Sequence, residues 1–503
     1  MTTLSLASVL AEPARRTPDR TALVEGGLRL DYATLWEDAR RCAAALAERG
    51  VQAGSRVALL APNVADFVRA YYGIIAAGGV VVPVPTLLNS DEAAYILGHA
   101  GAGIVLHDAS FASVATAAAE AVGIEAVAVE GLGAGRDPVA APTARDADDT
   151  AVIFYTSGTT GRPKGARLTH LNLVLNATTN AFDANSFTRD DVVMGCLPLF
   201  HTFGQSVAMN STFRAGATLV LQARFDAAAA LELMVRERAS LFFGVPTMYV
   251  QLLQAAGGAD RLPELRDCVS GGASLPVAVL EEFEKTFGTT VFEGYGLSET
   301  SPTATVNQRC FGTRAGTVGH PLWGIDVEVA DEASEDRIVL LATGELGEVV
   351  VRGHNVFAGY LDDPAATAQA MVDGWFRTGD IGRKDADGFI SIVDRKKDLI
   401  IRGGFNVYPR EVEEVLVRHP AVGQVAVIGL PDPEKGEEVC AVVVPADESS
   451  VDPDEVRTWA RERLGRHKYP RTVEVVEELP LGPSHKVLKR ELRRTLTAAL
   501  RNG

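Results

Sequence analysis

The apolar positions of the first third of the chain follow two alternating spacings. In some segments they recur every three to four residues, as on the buried face of a helix, and in others they form short continuous runs typical of buried strands. Gly50 follows the first helical segment and suits the turn that ends a helix. We predict helices at residues 32–49, 64–77 and 90–100, and strands at 56–60, 80–84, 104–107 and 150–155. Such alternation is typical of parallel sheets covered by helices.

From about Val349 the pattern changes to short strands, turns and charged clusters. Here we predict strands at residues 348–352, 388–394, 398–402, 422–430 and 438–445, and helices at 409–418 and 452–464. A final segment of about 110 residues is long enough to fold as its own domain. We place the boundary near Asp394, which gives domains at residues 1–393 and 394–503.

Two segments between these elements have a distinct composition. Residues 131–149 are rich in Ala, Gly, Pro and Asp and are predicted to form a surface loop. The most apolar stretch, residues 71–85, is interrupted by Gly78, Gly79 and Pro83. It is too short to span a bilayer, which takes about 20 residues, so we interpret it as a helix that runs into a buried strand.

The charge balance limits the classes of binding partner. The chain of 503 residues carries 48 lysines and arginines against 65 aspartates and glutamates, a formal net charge of −17. Duplex binding needs a basic surface, and a polybasic membrane anchor needs clustered positive charge, so both are disfavoured. The positive charge that binds an anionic substrate must therefore be local.

The cysteines and the start of the chain predict a cytoplasmic protein. The five cysteines, Cys42, Cys196, Cys268, Cys310 and Cys440, are odd in number and form no CxxC motif. Scattered cysteines of this kind are typical of free thiols in a reducing compartment. The first residues lack a basic segment followed by an apolar one, so we expect no signal peptide.

The loop at residues 156–165, Thr-Ser-Gly-Thr-Thr-Gly-Arg-Pro-Lys-Gly, follows a predicted buried strand. Its three glycines allow close approach of the backbone to a ligand, while four hydroxyls and Lys164 supply donors. No GxxxxGK[ST] pattern fits, so it is not a Walker A loop. Composition alone leaves two interpretations open, a phosphate-binding loop and a flexible surface loop.

This loop and seven later motifs resemble those of the adenylate-forming superfamily, which includes acyl-CoA synthetases, luciferases and adenylation domains. The later motifs occur in the superfamily's order, at residues 198–204, 271–273, 293–299, 374–380, 394–398, 403–409 and 480–490. The resemblance covers almost the whole chain. It implies an α/β fold, with a large N-terminal domain of several subdomains with parallel and mixed sheets, and a small mobile α+β C-terminal domain.

The resemblance implies a site for ATP and Mg²⁺. In it Tyr295 lies against adenine, Asp380 and Arg395 contact the ribose, Glu293 accepts from the adenine amino group, and Glu299 with Thr156 holds magnesium. The full ATP and AMP set is Thr156, Ser157, Gly158, Thr159, Thr160, Gly161, Lys164, Gly272, Ala273, Glu293, Gly294, Tyr295, Gly296, Ser298, Asp380 and Arg395. Without the resemblance, the alternative interpretation of Tyr295 is a core tyrosine. The alternative for Asp380 and Arg395 is an exposed ion pair.

The family reaction has two steps. A carboxylate first attacks the α-phosphate of ATP to give acyl-AMP and pyrophosphate, and the thiol of coenzyme A then takes the acyl group and releases AMP. The resemblance makes Lys486 the catalytic lysine of the first step, although His485 replaces the glycine that usually precedes it. It also makes Lys397 the hinge about which the C-terminal domain rotates, and Gly403 and Gly404 the lining of the pantetheine tunnel.

The acid is the least determined substrate. Candidate pocket residues are His201, Phe203, Val245, Gly271, Gly296 and Thr303, with His201 orienting the carboxylate. The wall at residues 242–247 is apolar, and Gly294 stands where malonate-using relatives carry arginine, which favours a medium- or long-chain fatty acid. An aryl acid, a short or dicarboxylic acid, and an acyl-AMP ligase that loads a carrier protein remain alternatives.

Two other classes of protein stay open beside the ligase. One is a non-catalytic nucleotide-binding regulator on the same fold, although it would have no reason to keep Lys486, Glu299 and Asp380. The other is a kinase-like phosphotransferase, which would release ADP in place of AMP and pyrophosphate. A homodimer is possible, and nucleic acid is not an expected partner.

Overall fold

The computed structural model describes residues 3–156, 162–446, 451–482 and 487–502. The helices are Ser8–Arg16 (α1), Tyr32–Glu48 (α2), Ala65–Ala76 (α3), Ser90–Ala100 (α4), Ala112–Val122 (α5), His170–Thr179 (α6), Ser211–Ala215 (α7), Ala227–Glu237 (α8), Pro246–Ala256 (α9), Val277–Phe287 (α10), Pro364–Ala370 (α11), Pro409–Leu416 (α12), Pro453–Arg463 (α13) and Lys489–Asn502 (α14). Two π-helical segments, Asn180–Ala184 and Phe203–Asn210, follow α6 and precede α7. Within those ranges, no helix combines the length and the apolar character needed to cross a membrane.

The strands form four sheets. They are Thr21–Glu25 (β1), Leu28–Asp31 (β2), Arg56–Leu60 (β3), Val80–Pro83 (β4), Ile104–His107 (β5), Glu125–Ala128 (β6), Thr150–Thr156 (β7), Lys164–Thr169 (β8), Val192–Gly195 (β9), Thr218–Leu221 (β10), Leu241–Gly244 (β11), Asp267–Ser270 (β12), Thr290–Gly296 (β13), Thr303–Val306 (β14), His320–Pro321 (β15), Ile325–Ala330 (β16), Gly347–Gly353 (β17), Met371–Val372 (β18), Trp375–Lys384 (β19), Ile390–Arg395 (β20), Ile400–Arg402 (β21), Phe405–Val407 (β22), Val422–Asp432 (β23), Gly436–Pro445 (β24) and Thr472–Val475 (β25).

Two largely parallel sheets make up most of the large N-terminal body and confirm the predicted α/β fold. The first has the order β15-β14-β13-β12-β11-β9-β10-β1-β2 and is parallel from β13 to β1. The second has the order β6-β5-β3-β4-β7-β8 and is parallel except for β8. Side chains that follow parallel strands meet at the carboxyl edge of each sheet, where ligands of open α/β sheets bind.

The predicted elements of the first half are confirmed to within a residue or two, because their ends carry local capping signals. The Asn89 side chain accepts from the backbone N–H of Glu92, and the Glu92 carboxylate accepts from the backbone N–H of Asn89. Gly101 ends α4 with φ +58°. The Asp31 side chain caps α2 by accepting from the Thr34 backbone N–H, and Gly50 follows this helix with φ +83°. Capping of this kind satisfies backbone groups that a helix end leaves unpaired.

Two predicted strands of the second half begin later than expected. The strand predicted at residues 388–394 starts at Ile390, since Gly388 has φ +89° in the preceding turn. The strand predicted from Asp398 starts at Ile400, since Asp398 and Leu399 donate their backbone N–H groups to the Arg395 carbonyl and form a turn.

The third and fourth sheets lie on either side of the predicted domain boundary. The third has the order β16-β17-β19-β18 with β20 beside β19, and the fourth has the order β22-β21-β24-β23 with β25 beside β24. Asp394 and Arg395 pair with Ile381 and Asp380 of β19, so both belong to the sheet of the first unit. The change of sheet falls at residues 396–399, slightly after the predicted boundary.

Separate apolar cores support this division. One continuous core contains the buried residues of the first sheet and its helices, among them Tyr71, Phe242 and Phe243. The fourth sheet has its own buried clusters, which include Val412 of α12 in one and Leu492 of α14 in the other. A unit with its own core is what a small C-terminal domain requires.

Candidate active site

A cavity of about 910 Å³ lies where the carboxyl ends of the first sheet meet the second and third sheets. Most of the predicted site residues line it. They are Thr156, Lys164, His201, Phe203, Gly271, Gly272, Gly294, Tyr295, Gly296, Ser298, Glu299, Thr303, Asp380, Arg395 and Lys397. The structure thus brings together side chains from segments that lie more than 200 residues apart in the chain.

Other predicted residues lie away from the cavity or cannot be placed. Ala273, Glu293, Val245, Gly403 and Gly404 are not among its lining residues. The predictions for Ser157, Gly158, Thr159, Thr160, Gly161, His485 and Lys486 fall outside the described residues.

Tyr295, Asp380 and Arg395 form one hydrogen-bonded group in the cavity wall. The Tyr295 hydroxyl donates to Asp380 Oδ2 over 2.6 Å, and Arg395 Nε lies 3.2 Å from Asp380 Oδ1. Burial beside this carboxylate raises the pKa of Tyr295 well above its usual value, and Asp380 raises the pKa of Arg395. Tyr295 therefore stays a neutral donor and Arg395 a cation at physiological pH. A buried carboxylate between an aromatic ring and a cation suits the hydroxyls of a sugar next to a flat base.

A buried ion pair fixes the backbone that presents Asp380. Arg377 of β19 and Glu348 of the adjacent strand β17 approach to 2.7 Å, with 8% and 4% of their side chains exposed. The second oxygen of Glu348 accepts from the Gly379 backbone N–H over 3.0 Å. Thr378 Oγ1 accepts from the Asp380 N–H over 3.1 Å. These contacts fix the strand at the point where its carboxylate enters the cavity.

Glu299 lies on a short helical turn after β13 and is the carboxylate proposed to hold magnesium. It is 7% exposed, and its Oε1 accepts from the Tyr360 hydroxyl over 2.9 Å and from Thr156 Oγ1 over 3.4 Å. No group of three or more His, Cys, Asp or Glu converges within the described part of the chain. One carboxylate with a nearby hydroxyl nevertheless fits Mg²⁺, which often binds through one carboxylate and the phosphates of a substrate.

Lys164 supplies local positive charge at the mouth of the same region. Its Nζ lies 3.6 Å from Asp363 Oδ2 and 5.2 Å from the centre of the Tyr360 ring. Both groups are only partly buried, so the ion pair is worth little and leaves the lysine available to an incoming phosphate.

Two glycines of the cavity wall are closely packed against neighbouring residues. A Cβ on Gly296 would lie 1.8 Å from the Pro302 carbonyl oxygen, which no rearrangement of side chains relieves. A Cβ on Gly271 would lie 3.1 Å from the Phe203 ring. The ring therefore packs directly on the Gly271 backbone and forms part of the wall.

Two of the predicted contact residues are buried and do not line the cavity. Glu293 is 3% exposed and accepts from the Leu275 backbone N–H over 3.2 Å, while burial raises its pKa. Val245 is buried in the core at the start of α9. The predicted apolar wall at residues 242–247 therefore does not line the cavity, and the apolar wall is formed instead by Phe203, Val207, Val269 and Val306.

In the part of the C-terminal domain that the structure describes, only the linker reaches the cavity. Among the described residues, those lining the cavity after Arg395 are Lys396 and Lys397, whereas Gly403 and Gly404 lie on an exposed hairpin with φ +57° and +84°. Lys489 Nζ lies 2.7 Å from Glu413 Oε1, within the C-terminal domain. This ion pair holds the Lys489 ammonium within the C-terminal domain, while the assignment of Lys486 as the reactive lysine stays a prediction.

Sequence reasoning missed Tyr360, Glu348 and Arg377. Tyr360 and Glu348 lie in no recognised motif, and Arg377 lies in the motif at residues 374–380 but was given no role there. Their partners are distant along the chain; Tyr360, for example, is 61 residues from Glu299. A paired Glu and Arg on adjacent strands is detectable only once the strand register is known.

Comparisons with known proteins cover both halves of the chain. The pattern of the family described as AMP-binding enzyme matches residues 10–361, and that of the AMP-binding enzyme C-terminal domain matches residues 411–486. A feruloyl-CoA synthase from Amycolatopsis sp is 39% identical over 487 residues, 96% of this chain and 97% of that protein. A long-chain-fatty-acid–CoA ligase from Bacillus subtilis is 34% identical over 531 residues, 97% of this chain and 94% of that protein. The crystal structure of ATP-bound MatB from Rhodopseudomonas palustris superposes with a TM-score of 0.90 at 36% identity, covering 98% of this chain and 99% of that one.

Proposed function

We propose a two-step reaction for this chain, which belongs to the family of AMP-binding enzymes. It is an acid–thiol ligase of the acyl-CoA synthetase branch, so ATP, a carboxylic acid and coenzyme A are its substrates. The observation that carries the proposal is the convergence of Tyr295, Asp380, Arg395 and Glu299 on one cavity. Tyr295 and Asp380 suit a nucleoside, and Glu299 suits a cation that is bound to phosphate. Arg395 supplies local positive charge in an acidic protein.

The first step joins the acid to AMP. A carboxylate oxygen of the acid attacks the α-phosphorus of ATP, and the bond to pyrophosphate breaks. The acid is already ionised at pH 7, so no base is needed, and the protein contributes orientation and charge. His201 orients the carboxylate, Lys164 and Ser298 contact the phosphates, and Lys486 stabilises the charge that builds on the α-phosphate.

Glu299 and Thr156 are the residues proposed to hold Mg²⁺. When bound, the ion neutralises negative charge on the pyrophosphate that leaves. The Tyr360 hydroxyl donates to the same carboxylate oxygen that Thr156 contacts and so fixes its position.

The second step requires the C-terminal domain to move. The sulfur of coenzyme A attacks the acyl carbon, the carbon–oxygen bond to AMP breaks, and the thiol proton is lost. Gly403 and Gly404 lie on an exposed hairpin outside the cavity lining, and the proposed pantetheine tunnel forms when rotation about Lys397 brings them to it. The linker at residues 396–399 lies between two sheets, which suits a hinge.

The acid is proposed to have an apolar body, with a medium- or long-chain fatty acid as the first candidate. The apolar wall of Phe203, Val207, Val269 and Val306 supports it, as does the absence of a charged side chain at Gly294. An aryl acid is the second candidate, because the Phe203 ring, which contacts Gly271, lines the pocket and is aromatic.

Exchange of labelled pyrophosphate into ATP tests the proposal. We expect exchange that depends on an acid and on Mg²⁺, followed by AMP and acyl-CoA formation once coenzyme A is added. A panel of straight-chain acids from four to eighteen carbons together with benzoic and phenylpropenoic acids ranks the two candidates. Absence of exchange with every acid would contradict the ligase, and release of ADP would indicate a phosphotransferase.

The role of Lys486 is tested by separating the two steps. Lys486→Ala is expected to abolish exchange while largely sparing thioester formation from supplied acyl-AMP. Lys489→Ala is the matched control, since its ammonium pairs with Glu413 and its loss should lower stability more than exchange. Equal loss of both steps in Lys486→Ala would refute the assignment.

A further inference from the structure

Helix α12 of the C-terminal domain takes a hydrogen bond at its start from a residue outside that domain. The first N–H groups of a helix have no partner within the helix, and a side chain just before it usually accepts from one of them. In the described chain, the Tyr408 side chain supplies no such bond, and Pro409 has no N–H. The Glu411 N–H donates to the Tyr408 carbonyl over 3.1 Å. The Arg410 N–H instead donates to Asp394 Oδ2 over 3.0 Å.

Asp394 and α12 lie on opposite sides of the proposed hinge at Lys397. Asp394 pairs with Ile381 of β19 and so belongs to the third sheet. Val412 of α12 packs in a buried cluster of the fourth sheet. The hydrogen bond between Asp394 and Arg410 therefore joins the two domains.

The Asp394 carboxylate is bound at both of its oxygens. Its Oδ1 accepts from the Arg395 N–H over 2.8 Å, which leaves Oδ2 directed to α12. The residue is only 8% exposed, and burial raises the pKa of its carboxyl. Because a buried carboxylate that loses a donor is costly, this bond is worth more than a contact on the surface.

The Arg410 side chain makes a second bond between the same two domains. Its Nη1 donates to the Ile392 carbonyl oxygen of β20. Its Nε lies 3.1 Å from Glu414 Oε1, one turn further along α12, and this ion pair orients the guanidinium. We call the two bonds that Arg410 makes, to Asp394 and to Ile392, the interdomain contact.

The interdomain contact favours one orientation of the C-terminal domain. Both acceptors precede the hinge and both donors follow it, and a hydrogen bond requires a heavy-atom distance near 3 Å. A large rotation that carries Gly403 and Gly404 to the cavity does not preserve that distance. Since a hydrogen bond to a charged group corresponds to about a 10- to 100-fold change in an equilibrium, the contact disfavours the rotated orientation.

We propose that Asp394 and Arg410 are positioning residues that hold the C-terminal domain in the orientation of the first step, and that their contact breaks before the second. The orientation seen here belongs to the first step, because Gly403 and Gly404, the proposed lining of the pantetheine tunnel, do not line the cavity. This inference rests on the proposed two-step reaction and names residues that set the balance between its steps.

Measuring the two half-reactions separately tests this role. Exchange of labelled pyrophosphate into ATP reports the first step, and thioester formation from supplied acyl-AMP and coenzyme A reports the second. Both use the acid that gives the fastest exchange. In Asp394→Ala we expect the ratio of thioester formation to exchange to rise about tenfold. A disturbance of Arg395, whose N–H also binds Asp394, would lower both half-reactions, since both need the bound nucleotide, and would not raise their ratio.

Three further variants assign the effect to the interdomain contact. Arg410→Ala removes the bond to Ile392, so the ratio should again rise about tenfold. Asp394→Asn keeps an oxygen that accepts from the Arg410 N–H, so the ratio should stay within about threefold of the native value. Asp452→Ala is the matched control, because Asp452 caps α13 by accepting from the Asp454 N–H within the C-terminal domain. It should lower stability and leave the ratio unchanged.

Specific outcomes overturn the inference. An unchanged ratio in Asp394→Ala or Arg410→Ala does so, as does an equal loss of both half-reactions, which indicates a structural role alone. A rise of the same size in Asp452→Ala also does so, because it attributes the effect to lost stability. If Asp394→Ala does not fold, the ratio in Arg410→Ala decides by the same criterion. The native enzyme is measured first, and absence of exchange there with every acid contradicts the proposed function itself.

Discussion

Replacing Tyr360 by phenylalanine isolates one hydrogen bond to the proposed magnesium-binding carboxylate. The Tyr360 hydroxyl lies 2.9 Å from Glu299 Oε1, and the other side-chain contact found for this oxygen, from Thr156, is longer at 3.4 Å. Phenylalanine keeps the edge-on contact with Phe357 and the approach of Lys164 to the ring face. The change therefore removes the hydroxyl and little else.

The size of the effect follows from the charge of the acceptor. A hydrogen bond to a charged group is worth about 1.5–3 kcal/mol, which corresponds to about a 10- to 100-fold change in rate or affinity. We expect kcat/KM for ATP to fall by that factor and the magnesium concentration needed for half-maximal exchange to rise. Burial raises the pKa of Tyr360, and Glu299 raises it further, so the defect should be constant between about pH 6 and 9.

Pyrophosphate exchange at a series of magnesium concentrations measures both quantities. Tyr249→Phe is the matched control, since the Tyr249 hydroxyl is fully buried, has no partner among the described residues and does not line the cavity. Exchange in Tyr360→Phe within twofold of the native enzyme, at limiting and at saturating magnesium, would refute the role given to this bond.

Two further predictions concern stability. Arg377→Ala leaves the Glu348 carboxylate buried without its ion-pair partner and should lower the free energy of unfolding in urea by about 3–5 kcal/mol. Arg261→Ala removes one partner of an exposed ion pair and should lower it by less than about 1 kcal/mol. Equal losses in the two variants would contradict the reasoning. His170 accepts the Leu6 backbone N–H through Nδ1, and burial lowers its pKa from 6.5 to about 4. As the pH falls, this histidine is therefore protonated in the unfolded chain before it is protonated in the folded protein. Between pH 6.5 and 4 the free energy of unfolding of the native protein should fall by about 3 kcal/mol more than that of His170→Gln. If the free energies of unfolding of the native protein and of His170→Gln change with pH by the same amount, the reasoning is wrong.

Elements with local signals were predictable to the residue. The helix at residues 90–100 coincides with α4 because Asn89, Glu92 and Gly101 determine its ends through neighbouring backbone groups. The strand at residues 104–107 coincides with β5, a short run that begins with three aliphatic residues and is buried throughout. Strand starts near Gly388 and Asp398 were misplaced because turn hydrogen bonds, which depend on the folded backbone, take up those residues.

The candidate site was predictable only in part. Most of the candidate residues taken from the ordered motifs that the structure describes line the cavity, including Tyr295, Asp380 and Glu299. They did not show that Glu293 turns toward Leu275, or that Val245 packs into the core. Which way a side chain points at the end of a strand depends on the neighbouring segments, and a motif does not contain them.

The sequence alone determined the class of fold, the family and the identity of most candidate groups, because hydrophobic spacing and ordered motifs are local properties of the chain. The tertiary structure decided which of these groups touch. Tyr295 meets Asp380 across 85 residues and Tyr360 meets Glu299 across 61, through strand register and sheet order.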